Sequence, residues 1–226
     1  MSVVALVPAA GRGERLGMDV AKAFVPIAGQ PLLLHAVRGV LAAGCVDAVV
    51  VAVPPADVDR STAVLSPLGP AVSVVAGGST RVESVRLALR RADTLLPAID
   101  VVLVHDAARA FTPPDVFAAV VAAVRAGRPA VVPVLPLVDT VKQVDGAGRV
   151  VSTVDRSSLR SVQTPQAFAP DVLRRAHSGD GRCAVTDDAG LVEAIGEPVH
   201  AVPGHAHALK ITTPFDLAVA EAVLTR

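Results

Sequence analysis

Short apolar runs alternate with Ala- and Leu-rich stretches of helical spacing through the first 135 residues, and this alternation restricts the fold most. Strand-like runs cover 3–7, 47–53, 71–76, 100–105 and 129–135; helical spacing covers 31–43, 56–66, 79–92 and 114–126. Pro31 suits a first helical turn and Gly44 a helix stop, and Thr112-Pro113-Pro114-Asp115 reads as a helix entry. Strand followed by helix, again and again, predicts a parallel sheet covered on both faces, with right-handed crossovers. The expected class is α/β, a Rossmann-like, mostly parallel twisted sheet.

The rhythm changes at 137. Two short β-like pieces, Leu137–Val144 and Arg149–Val154, flank Asp145-Gly146-Ala147-Gly148 and predict a hairpin. Its alternating polarity does not suit a parallel core, so 137–157 is expected to leave the domain as an arm. The alternative is an edge hairpin folded onto its own sheet. Beyond it, the chain returns through 159–163. Helices are expected near 170–177 and 186–195, strands near 198–202 and through Ala208–Ile211, and a closing helix over 213–225, capped by Thr213-Pro214. Residues 1–226 are read as one domain carrying that arm.

Composition narrows the function. The 226 residues are 52% hydrophobic and 19% charged, enough apolar content for a full core. Apolar segments are too short and too interrupted to span a membrane. The chain enters a strand at once, without a basic region and cleavage site, so a cytoplasmic location is expected. Cys45 and Cys183 lack metal-ligand spacing. Net charge is zero and Trp and Tyr are absent, which argues against nucleic acid as a partner. The only lysines are Lys22, Lys142 and Lys210, every other cation being Arg. All three sit in or beside the motifs below.

Chemistry is expected at strand ends. The first strand opens into Pro8-Ala9-Ala10-Gly11-Arg12-Gly13-Glu14-Arg15 and runs on to Lys22. Glycines let backbone N–H groups approach a phosphate, and the cations neutralise it. The loop is neither a dinucleotide fingerprint, lacking the third glycine, nor a Walker loop, lacking Gly-Lys-Ser/Thr. Gly77-Gly78-Ser79-Thr80-Arg81 follows the third strand, and His105-Asp106-Ala107-Ala108-Arg109 ends the fourth. Asp106 is a candidate for a sugar hydroxyl or a metal, with Arg109 orienting it. His105 reads as a hydrogen-bonded packing residue. Asp187-Asp188 reads as a helix cap, and His200, His205 and His207 as surface histidines. No Gly-x-Ser-x-Gly and no plausible Cys–His pair supports hydrolase or thiol chemistry.

Taken in order, these segments, with Asp139-Thr140-x-Lys142, Val154-Asp155-Arg156, Gln163-Thr164-Pro165-Gln166, Thr186-Asp187-Asp188 and Lys210-Ile211-Thr212, resemble the 2-C-methyl-D-erythritol 4-phosphate cytidylyltransferase family over nearly the whole chain. The resemblance implies that CMP passes from CTP to that polyol phosphate in non-mevalonate isoprenoid synthesis. It implies that Ala9, Ala10, Gly11, Arg12, Gly13 and Glu14 wrap the triphosphate, and that Gly78, Ser79 and Ser84 read cytosine and ribose. Arg15 and Lys22 would stabilise charge on the α-phosphate, with Lys210 also holding the reacting phosphates. Asp106 and Arg109 would lie near the acceptor. Thr140 and Arg156, in the arm, would complete the site of a second subunit, making a homodimer. Two departures stand out: Ala21 where the family usually has Pro, and Ser79 where it often has Asp.

The residue types suit such a reaction. Near neutral pH a phosphate monoester is largely dianionic, with a second pKa of about 6, so the nucleophile needs no general base. The obstacle is bringing two anions together, and catalysis is then charge neutralisation and positioning. Mg²⁺ is the expected cofactor, bridging triphosphate oxygens with few protein ligands, Asp106 among the candidates. The rival readings are a ribitol-5-phosphate cytidylyltransferase and a non-catalytic nucleotide-binding regulator. A nicotinamide oxidoreductase lacks both the third glycine and an acidic residue on the second strand.

Overall fold

The structure, a computed structural model, describes residues 1–11, 20–179 and 185–224. Strand β1 (Ser2–Pro8) is followed by a two-rung hairpin, β2 (Pro26–Ile27) and β3 (Gln30–Pro31), and by α1 (Leu32–Ala42). Then come β4 (Ala48–Val53), α2 (Val58–Leu65), β5 (Val72–Ala76), α3 (Arg81–Leu95), β6 (Ile99–Val104), α4 (Pro114–Arg125) and β7 (Ala130–Pro136). The second half holds β8 (Val141–Val144), β9 (Val150–Val154), β10 (Arg160–Val162), β11 (Gln166–Phe168), α5 (Pro170–Ser178), α6 (Asp188–Ala194), β12 (Val199–Pro203) and α7 (Pro214–Leu224).

The main sheet runs β5-β4-β1-β6-β11-β7. Strands β5, β4, β1 and β6 are parallel, β11 is antiparallel to both its neighbours, and β7 also pairs with β12 in parallel and with β10 antiparallel. This is the mostly parallel α/β sheet that the alternation predicts. Val3 to Val7 are all fully buried because helices cover both faces. Val3, Ala5 and Val7 turn toward residues of α1 and α4, whereas Val4 and Leu6 turn toward α3, α5 and α6. Phe117 and Phe168 are the largest buried side chains, one in each of these layers. Burying each contributes roughly 1.5–3 kcal/mol.

Register sets the functional edge. Pro8 pairs with Ala52, Val53 with Ala76, and Leu6 with Val104, so β1, β4, β5 and β6 end at one level. The backbone keeps that level for a further residue: Ala9 N donates to Ala52 O, Gly77 N to Val53 O and His105 N to Leu6 O. The loops after these strands therefore meet at one place, the carboxyl edge where open α/β sheets bind ligands.

Strands β8 and β9 form a separate two-stranded sheet, so the hairpin is not folded onto the main sheet. Among the described residues Val138, Val144, Val150 and Val151 are exposed on or beside it.

Two local expectations change. Ala208–Ile211 is not a strand: a 3-10 turn covers Ala206–Ala208, and Ile211 N donates to Ala108 O, a loop carbonyl with no strand to extend. Strand β11 is absent from the expected strands, its three residues, Gln166–Phe168, being too short a run to mark one. Its burial is made acceptable by Gln166, whose amide donates to Asp187 Oδ2 (2.6 Å) and accepts from Ala189 N (3.1 Å).

Candidate active site

A cavity of about 460 Å³ opens at the carboxyl edge. Its walls are Pro8–Gly11 after β1, Lys22 and Ala23, Pro54 and Pro55 after β4, Gly78–Arg81 and Ser84 at the start of α3, Asp106–Ala108 after β6, and Lys210. The expected residues Ala9, Ala10, Gly11, Lys22, Gly78, Ser79, Ser84, Asp106 and Lys210 are thus brought together from both ends of the sequence. Arg12, Gly13, Glu14 and Arg15 lie outside the described residues, as does Cys183.

The turn before α3 is fixed by its own side chains. Thr80 caps the helix, its hydroxyl accepting from Glu83 N (3.1 Å). Glu83 reaches back so that one carboxylate oxygen accepts from both Ser79 N (2.7 Å) and Ser79 Oγ (2.8 Å). These bonds hold the Glu83 carboxyl below its ordinary pKa. Ser84 Oγ donates to Thr80 O and accepts from Gly78 N. Its hydroxyl is therefore engaged in shaping the turn, although the residue lines the cavity. A Cβ on Gly78 would collide with the Glu83 side chain, and one on Gly77 would meet Ser84 Oγ at 2.9 Å. The two glycines are required by that close approach.

Charge is concentrated at Asp106. Lys210 Nζ lies 2.7 Å from Asp106 Oδ2, and Arg81 Nη2 lies 3.4 Å from Oδ1. Burial opposes the carboxylate's charge, but Arg81 and Lys210 overcome it and lower its pKa to about 2. Asp106 N donates to Thr164 Oγ1 (3.0 Å), and His105 Nδ1 lies 3.1 Å from the same hydroxyl. His105 is buried against Phe117, and desolvation lowers its pKa to about 4. It is the packing residue that its apolar surroundings suggested, and it stays neutral near pH 7.

Lys210 is placed by backbone clamps. Arg109 donates to Ala208 O (2.7 Å) and Val162 O (3.3 Å), and Ile211 N donates to Ala108 O. Gln163 fixes the preceding turn, donating to His205 O and accepting from His205 N, both at 3.0 Å. Arg109 thus acts on the segment that carries Lys210 and is not among the residues lining the cavity. Thr140 is exposed on the arm, and Arg156 donates to Val138 O at the arm's base. Neither lines the cavity. Lys142 Nζ donates to Thr153 Oγ1 (2.6 Å) across the hairpin.

Gln163, Thr164 and Gln166 carry no assigned role in the sequence reading, and Asp188 is read there only as part of a helix cap, which Asp187 provides. Their signal was present in the motifs Gln163-Thr164-Pro165-Gln166 and Thr186-Asp187-Asp188. What was not legible is the long-range pairing of Arg81 with Asp188 (2.6 Å). No cluster of three or more His, Cys, Asp or Glu that could hold a metal occurs among the described residues.

Fold and site together define an α/β protein with a charged, glycine-lined cavity at the carboxyl edge of its sheet, where such folds bind ligands. The comparisons with known proteins narrow this. The family model for 2-C-methyl-D-erythritol 4-phosphate cytidylyltransferase matches residues 3–226. Proteins of that name from Saccharopolyspora erythraea and Nocardia farcinica are 64% and 56% identical, over 99% and 100% of this chain and 100% and 95% of theirs. The crystal structure of the Thermus thermophilus protein of that name superposes with a TM-score of 0.79 at 39% identity, covering 100% of both chains. That of 4-diphosphocytidyl-2C-methyl-D-erythritol synthase from Anaerococcus prevotii gives 0.85 at 28% identity, covering 100% of this chain and 99% of that one. The chain belongs to the 2-C-methyl-D-erythritol 4-phosphate cytidylyltransferase family and is a nucleotidyltransferase.

Proposed function

We infer that this cytidylyltransferase transfers CMP from CTP to 2-C-methyl-D-erythritol 4-phosphate, giving 4-diphosphocytidyl-2-C-methyl-D-erythritol and pyrophosphate. The observation that carries the reading is the convergence of Lys22, Lys210 and the Gly-rich ends of β1 and β5 on one cavity. The acceptor phosphate attacks the α-phosphorus of CTP. A bond forms from acceptor oxygen to phosphorus, and the bond to the bridging oxygen of pyrophosphate breaks. No group on the protein needs to take a proton. Lys22 and Lys210, with Arg15 beyond the described segment, offset the charge gathered at the α-phosphate.

Ala9, Ala10 and Gly11 face the triphosphate from the cavity wall, with Arg12, Gly13 and Glu14 assigned to it by family resemblance, and the turn shaped by Glu83 and Ser84 presents Gly78 and Ser79 to the nucleoside. The Ser79 N–H and hydroxyl hydrogen are both donated to Glu83, which leaves the Ser79 carbonyl and hydroxyl oxygens to accept from the nucleoside. Asp106 meets the acceptor, and Arg109 acts by holding the Lys210 segment. Mg²⁺ fits this donor set if phosphate oxygens supply most of its ligands, because among the described residues Asp106 is the carboxylate lining the cavity. Bound there, it would offset charge on the triphosphate.

The arm, 137–157, serves a homodimer, presenting Thr140 and Arg156 to the partner's acceptor site. Its exposed valines support this reading, since a two-stranded ribbon is marginal alone. No helix among the described residues is long and apolar enough to cross a membrane. Pyrophosphate release with CTP, Mg²⁺ and a panel of polyol phosphates tests the reading. Turnover with methylerythritol phosphate supports it. Preference for ribitol 5-phosphate, or silence with every acceptor, overturns it.

A further inference from the structure

We propose that Arg81 is a positioning residue for the transfer, holding Asp106 aimed while Lys210 leaves it for the phosphates. The proposal rests on the reading of the cavity given above. Arg81 is the first residue of α3, where a cation opposes the helix macrodipole. Two carboxylates hold it there. Its Nη1 lies 2.6 Å from Asp188 Oδ2, and its Nη2 lies 3.4 Å from Asp106 Oδ1. Asp188 is in the first turn of α6 with no solvent exposure, and its second oxygen lies 2.9 Å from His177 Nε2 on α5. A chain of charged and polar groups therefore runs inward from the cavity: Lys210, Asp106, Arg81, Asp188, His177.

This order has a consequence for binding. Lys210 is 46% exposed and Asp106 only 13%. A triphosphate in the cavity competes for Lys210, the more accessible partner. Removing one partner from a buried pair leaves an uncompensated charge, which is strongly destabilising. Arg81 remains on Asp106 and prevents this. Asp188 in turn keeps Arg81 from following Lys210 onto the phosphates. The planar guanidinium can bridge carboxylates on two elements at once, which a lysine cannot reproduce.

The groups facing Asp106 are Arg81 from α3, Lys210 from the segment before α7, and Arg109 and His105 from its own loop. Removing Arg81 removes the bridge between Asp106 and Asp188, so the Asp106 carboxylate is free to turn once Lys210 has gone.

The test uses the whole chain as wild type and as Arg81→Gln, Arg81→Lys and Asp188→Asn. It measures kcat and KM for both substrates and thermal melting. For Arg81→Gln, acceptor kcat/KM falls at least about tenfold while the KM for CTP moves less than about threefold. Arg81→Lys, which cannot span both carboxylates, and Asp188→Asn move the same parameters in the same direction. Equal losses on both substrates, or an unchanged acceptor kcat/KM, overturn the proposal. If Arg81→Gln does not fold, an unchanged acceptor kcat/KM in Arg81→Lys and Asp188→Asn overturns it equally. A wild type without turnover overturns the underlying reading as well.

Discussion

Lys210 Nζ sits 2.7 Å from Asp106 Oδ2, joining a residue near the end of the chain to the loop after β6. The pair places a cation over the mouth of the cavity without burying it. Lys210→Ala should keep the fold, because the segment is fastened by Arg109, Gln163 and Ile211 and not by the amine. Turnover should fall about a hundredfold or more, equivalent to roughly 3 kcal/mol of transition-state stabilisation. Initial rates of pyrophosphate release check this, and near-normal turnover would remove Lys210 from the chemistry. Lys22→Ala should lose a similar factor.

Glu83 orders the nucleoside side of the site from outside the cavity. Glu83→Ala removes both bonds to Ser79 and should raise the KM for CTP about three- to tenfold, with kcat little changed. Gly78→Ala should act in the same direction by displacing the Glu83 side chain. Calorimetric titration with CTP reads the effect without the acceptor. An unchanged affinity in both variants would detach this turn from nucleotide binding.

His105 predicts a pH dependence of stability. Its folded pKa, lowered by burial to about 4, lies below its unfolded value of about 6.5. Above 6.5 it is neutral in both states and changes nothing. Between 6.5 and 4 the unfolded chain takes up a proton that the folded chain refuses, so stability falls as pH falls, by roughly 3 kcal/mol in all. Asp106 acts in the same direction over a lower window: its lowered pKa adds stability above about 4 that disappears as pH falls toward 2. Urea unfolding at pH 7 and pH 4.5 measures the His105 loss, and His105→Gln should show a smaller one. Equal pH dependence in both proteins would count against a neutral buried imidazole.

The arm offers a separate test. Val150→Asp combined with Val151→Asp adds charge to an already exposed ribbon, so the subunit should still fold. It should sediment as a monomer and lose acceptor turnover, while binding CTP normally. A dimer that survives the double substitution would place the interface elsewhere.

Most of the architecture was readable because β-branched runs and helical spacing are local signals. The edge that gathers the site followed from the β–α order alone. Strand β11 was not readable, since its three residues owe their pairing to neighbours on β6 and β7 and to the Gln166 clamp. The motifs containing Asp106, Gly78 and Lys210 were visible, but their partners were not. Arg81 and Asp188 are 107 residues apart and meet only because α3 and α6 begin side by side. The motifs turn Ser84 and Arg109 toward ligand, and the fold shows how each is also engaged: one in a turn, the other in holding the Lys210 segment.

A crystal structure with CTP bound tests the central electrostatic claim most directly. The amines of Lys22 and Lys210 should lie within salt-bridge distance of phosphate oxygens, with Lys210 withdrawn from Asp106 and Arg81 still upon it. Both amines turned to solvent, with Lys210 still paired to Asp106, would contradict the account.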